Sequence, residues 1–209
     1  MVVGQDAADE IHGGRRRASH SWGAVDDAGT AYVIRPGTAA DVDALAELRR
    51  TLIAKETARA RGVVDDFVVH ATAATELWRE GAVTLVLEHA GGVVAAARYS
   101  QIAGSTEACV ALAVADLAGQ RDLGIELVTR LAHVAHERGI EHFVADLHPS
   151  NAAMLAVFVR AGFATEIGVG DGVMHMCFSV DPASRDSGRS KVRATPVWDS
   201  VIGVCRSDG

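Results

Sequence analysis

Between Glu107 and Phe163 the chain sets out residue types that could do chemistry. Glu107 and Cys109 alternate at the start of a short apolar stretch, Ala108-Cys109-Val110-Ala111-Leu112-Ala113-Val114. In a strand, residues two apart share a face and lie roughly 6.6 Å apart. Glu107 and Cys109 would therefore stand on one face of that strand. Cys109 itself reads either as a weak nucleophile or as a small buried hydrophobe. Beyond the stretch comes the turn Gly119-Gln120-Arg121-Asp122-Leu123-Gly124. Where a turn opens a helix, unpaired N–H groups and the helix dipole can hold an anion such as a pyrophosphate. Asp122 in this turn is either an ordinary helix cap or a carboxylate that occupies the anion position from within.

The elements needed to position these groups can be read from hydrophobic spacing. Ala108 to Val114 is short enough for a buried strand. Leu123, Leu127, Leu131 and Val134/Ala135 recur at helical spacing until Arg138-Gly139, where a basic residue and a glycine mark a helix end. Glu141 to Leu147 reads as another strand, and His148-Pro149-Ser150-Asn151 opens a helix ending at Gly162-Phe163. The order is βαβα. Ahead of it, Tyr32 to Pro36 reads as a first strand, and Thr38-Ala39-Ala40-Asp41 resembles a capping box opening the helix Val42 to Leu48. A second helix is expected from Phe67 to Trp78. Val83 to His89 and Val93 to Ile102 make an antiparallel pair across Gly91-Gly92. Phe163 to Val169 and Val173 to Val180 form a last pair around Gly170-Asp171-Gly172.

Composition narrows the function classes. The chain has 209 residues, 49% hydrophobic and 22% charged, which suits one globular domain with tails. Residues 1–30 and 181–209 read as flexible segments flanking a domain over 31–180, although Val197 to Cys205 is apolar enough to dock. A net charge of −7 argues against general nucleic-acid binding. No stretch approaches the length of a membrane span, and no apolar leader follows the basic cluster at Arg15-Arg16-Arg17. Cys109, Cys177 and Cys205 lack metal spacing, so a reducing cytoplasm is the simplest setting. His133 and His136 share a helix face, but local spacing fixes no third ligand, and no metal is expected.

Three stretches carry a family resemblance: Val94-Ala95-Ala96-Ala97-Arg98-Tyr99, Glu107-Ala108-Cys109-Val110-Ala111, and Asn151-Ala152-Ala153-Met154-Leu155-Ala156-Val157-Phe158-Val159-Arg160-Ala161-Gly162-Phe163. Together with the turn, these resemble the GNAT acetyltransferases, and within them the catalytic domain of the bacterial protein lysine acetyltransferases. The resemblance covers roughly residues 31–180. It implies an α/β GNAT acyl-CoA N-acyltransferase fold, a mixed, mostly antiparallel sheet with helices on both faces. It also implies acetyl-CoA as co-substrate and a primary amine, small molecule or protein lysine, as acceptor. Strand backbone near Val114 would bind the pantetheine, and the amides of Arg121, Asp122, Leu123, Gly124 and Ile125 would seat the pyrophosphate. Asn151 would touch the pantetheine arm or order its loop, unless it only starts a helix. A homodimer is left open.

Three positions depart from the family pattern. Asp122 stands where the first turn glycine is expected, with Gly119 in place of glutamine, while Arg121 and Gly124 match. Cys109 stands where the subgroup carries a glutamate base, which leaves Glu107 or water to take the proton. Phe158 stands where many members place a tyrosine acid, and by itself it reads as core. The expected function is acetyl transfer to a primary amine by direct attack. The alternative is an impaired scaffold acting as a binding or regulatory module.

Overall fold

The computed structural model describes residues 21–25, 29–59, 80–114, 121–147, 149, 151–170 and 172–187. Eight strands form one sheet in the order β1-β2-β3-β4-β5-β6-β8-β7. They are β1 (Trp22–Val25), β2 (Ala31–Pro36), β3 (Ala82–His89), β4 (Gly92–Gln101), β5 (Glu107–Val114), β6 (His142–Leu147), β7 (Thr165–Gly170) and β8 (Val173–Ser179). Every pairing is antiparallel except β5 with β6, which is parallel. The described helices are α1 (Val42–Arg59), α2 (Arg121–Glu137) and α3 (Ala152–Arg160).

Strand alternation sends two sets of side chains to opposite faces. Leu85, Ala97, Leu112, Phe143 and Phe178 join Leu127 and Leu131 of α2 and Phe158 of α3 in the main core. Val86, Ala96 and Ala113 face the other way and join Leu45 and Leu48 of α1. Helices thus cover both faces of a mixed, mostly antiparallel sheet, as expected. The α1 face is the one that also carries Cys109 and Glu107, two and three strand steps of alternation before Ala113.

The start of α1 follows its capping sequence. Asp41 Oδ2 accepts from the Thr38 backbone N–H at 2.7 Å, and a single 3-10 turn, Ala39–Asp41, leads into the helix. Arg35 on β2 donates to both Asp41 oxygens at 2.8 and 2.9 Å and to Glu88 on β3 at 2.8 Å. This pairing holds the Asp41 carboxyl down at about 2 against burial and raises the Arg35 guanidinium further above its usual range.

Two expectations are corrected. The β3–β4 turn is Ala90-Gly91 rather than Gly91-Gly92, with φ of 50° and 79°. Two positive φ values give the turn whose twist suits a hairpin. Trp22–Val25, inside a segment expected to be irregular, pairs with β2. The last hairpin pairs as expected, with β8 beside β6 and β7 at the sheet edge. The helix expected over Phe67 to Trp78 lies outside the described residues, as do the turn residues 115–120, His148, Ser150 and the C-terminal Val197 to Cys205.

Candidate active site

The site begins where β5 and β6 part. Their pairing covers only Glu107↔His142, Ala108↔Phe143 and Cys109↔Val144. Past Cys109, β5 stays hydrogen-bonded to β4 as far as Val114, but among the described residues no strand pairs with its other edge. The gap is a small cleft lined by Val110, Ala111, Leu112, Ala145, Asp146 and Leu147, with Met154 and Phe158 of α3 across its core side.

α2 begins soon after β5 ends, so its first turn sits at the end of this cleft. Val114 and Leu123 are buried there, and Ile125 is half-buried against the core. A side chain at Gly124 would meet Val157 at 3.6 Å and Val114 at 3.7 Å. Gly124 therefore brings α2 close to α3 and β5, and its missing side chain faces the interior. The backbone of Arg121 starts the helix. Asp122 lies inside the first turn, which corrects the cap reading, and its exposed carboxylate faces Arg160 of α3 at 3.5 Å. At that distance and exposure the pair adds little stability. It does place a cation beside the one carboxylate in the turn.

Asn151 is the N-cap of α3, its Oδ1 accepting from the Met154 N–H at 3.2 Å. Phe158 is buried, and its ring stacks 5.2 Å from that of Phe178. It is core and cleft wall at once. Glu107 is half-buried at the closed end of the cleft. Cys109 sits at the fork but is disulfide-bonded. In that state it presents no free thiol. Cys177, the free cysteine on β8, is no substitute. Burial first, then Glu107 and Glu166, push its thiol up to about 12.

One pairing had no counterpart in the sequence reading. On β6, Asp146 follows Val144 by two and projects on the Cys109 face. Opposite it on β8 is His175, buried, with Nδ1 2.7 Å from Asp146 Oδ1. The only advance signal was a charged residue in an otherwise apolar strand. Among the described residues no group of three or more His, Cys, Asp or Glu could hold a metal, and no helix is long and apolar enough to cross a membrane.

Comparison with known proteins adds to this geometry. A family profile described as an acetyltransferase (GNAT) domain matches residues 32–164. No curated protein sequence matches the chain. Among solved structures, the GNAT domain of S. lividans PAT superposes with a TM-score of 0.63 at 26% identity, covering 79% of this chain and 99% of that one. A cAMP-binding acyltransferase from Mycobacterium smegmatis gives 0.54 at 22% identity, covering 78% of this chain and 48% of its own length. YncA from Salmonella typhimurium, solved with its cofactor acetyl-CoA, gives 0.51 at 23% identity, covering 75% and 98%.

Proposed function

Because the chain belongs to the GNAT acetyltransferase family, we propose that it moves an acetyl group from acetyl-CoA to a primary amine by direct attack, with protein lysine as the favoured acceptor. The observation that carries this reading is the parting of β5 from β6 after Cys109, with a helix N-terminus close to the end of β5. Pantetheine amides can complete the open strand edge from Val110 to Val114. The amides of Arg121 to Ile125 are the candidates for the pyrophosphate. Acetyl-CoA supplies the activated thioester carbonyl. The protein's share is to align the amine with it and to handle one proton. The lysine preference is supported by the likeness to the S. lividans PAT domain; Phe158 lines the cleft proposed for the pantetheine, and Asn151, which caps α3, is proposed to touch the arm or order its loop.

Among the described residues Met154 and Phe158 wall the α3 side of the cleft, so the approach proposed for the acceptor is from the face of Glu107 and Cys109. Incubating the reduced protein with acetyl-CoA and a panel of primary amines, including lysine peptides, and weighing the products tests the reading. An acetylated amine is expected, and release of free acetate alone would contradict it.

A prediction about the turn follows from the Asp122–Arg160 pair. Replacing Asp122 with Gly removes a carboxylate beside the phosphates and frees Arg160, so CoA should bind about threefold to tenfold more tightly. Gly124→Ala adds a methyl that faces Val114 and Val157 at ordinary contact distance, so affinity should hold within about twofold. Calorimetric titration of both variants with CoA reads this directly. An unchanged affinity for Asp122→Gly would mean the carboxylate never opposes the phosphates.

A further inference from the structure

We infer that Asp146 takes the proton from the acceptor amine and that His175 holds Asp146 in place for it, an inference that rests on the acetyltransferase reading above. Three features of the fold point there. First, position: parallel pairing ends at Cys109↔Val144, and Asp146 lies two residues further along β6, roughly 6.6 Å past the fork. It lines the cleft and projects on the face opposite Met154 and Phe158, the face left for the amine. Glu107, two residues before Cys109, is on the same face but at the closed end, where β5 is still paired to His142.

Second, availability: the Asp146 side chain is 39% exposed and that of His175 only 9%. The carboxylate meets the cleft mouth while the imidazole stays behind it. Third, orientation: a carboxylate can only accept, so the 2.7 Å contact requires His175 Nδ1 to carry the hydrogen. Gly168 stands opposite His175 on β7, and the ring's Nε2 lies toward Gly170, away from the cleft. One Asp146 oxygen is thus tied to the imidazole, and the other is left for a substrate.

The step balances without further reagents. The amine nitrogen bonds to the thioester carbonyl carbon, the carbon–sulfur bond breaks, and the surplus ammonium proton passes to Asp146. The departing thiolate takes its proton from water, since Phe158 has none to give. His175 is a positioning residue, and the substituted Cys109 position needs no base of its own.

The test uses the full chain under reductant, with acetyl-CoA and Nα-acetyl-lysine amide as the first of the amine panel. Asp146→Asn should lower kcat about 10²- to 10³-fold and leave CoA affinity by calorimetry unchanged. Glu107→Gln should lower kcat less than about tenfold. His175→Asn, which keeps a side-chain N–H for Asp146, should retain more activity than His175→Phe. A near-wild-type kcat in Asp146→Asn, a larger loss in Glu107→Gln, or His175→Asn no more active than His175→Phe would each overturn the inference while leaving the acetyltransferase reading intact. A wild type that binds acetyl-CoA but acetylates no amine would overturn both.

Discussion

Replacing Phe178 with Ala is expected to remove about 3–5 kcal/mol of unfolding free energy, enough to exhaust much of the stability of a domain this size. Phe178 is 1% exposed on β8, and three other rings converge on it. Phe163 lies 5.1 Å away, Phe158 5.2 Å and Phe143 5.6 Å, the last nearly perpendicular at 87°. Such pairs add to the value of the buried area itself. These rings come from β6, α3 and the segment before β7, so the variant opens a cavity where three elements meet. Phe158 also walls the cleft, and its loosening should weaken CoA binding at temperatures where the variant is still folded. Urea unfolding of the two proteins measures the loss. A change below about 1 kcal/mol would mean the aromatic cluster collapses around the gap.

Asp41→Asn should cost about 3 kcal/mol at pH 7. The substitution takes away the carboxylate that accepts from both Arg35 and the Thr38 backbone, and leaves a guanidinium paired only with the more exposed Glu88. The pH dependence follows from the same pairing. The Asp41 carboxyl sits at about 2 in the folded protein against 3.8 ordinarily. Its contribution is therefore complete above pH 4 and disappears as pH falls through 2. The wild type should lose about 2 kcal/mol over that interval from this group alone. Urea midpoints for both proteins at pH 7, 4 and 2.5 test the sign. The gap between them must narrow on acidification, and a constant gap would remove Asp41 from the acid response.

The parts of the fold legible in the sequence were those set by local pattern. The short apolar run at residues 108–114, the strand-length segment 141–147, the helical spacing from Leu123 to Ala135 and the Thr38–Asp41 box each encode an element without reference to distant residues. The hairpin at Gly91 was displaced by one because two successive glycines offered equal freedom, and Ala90 took the first positive φ. What local pattern could not supply was the insertion of β8 beside β6. That placement depends on long-range packing around Phe143 and Phe178, and it alone brings His175 opposite Asp146. The missed strand order and the missed polar pair are one omission.

The central claim is that the fork between β5 and β6, with the N-terminus of α2, holds acetyl-CoA. Calorimetric titration of the wild-type chain with acetyl-CoA and with free CoA tests it most directly. One site per chain with micromolar affinity, about −8 kcal/mol, is the predicted result. No detectable heat for either ligand, in wild type and Asp122→Gly alike, would contradict it.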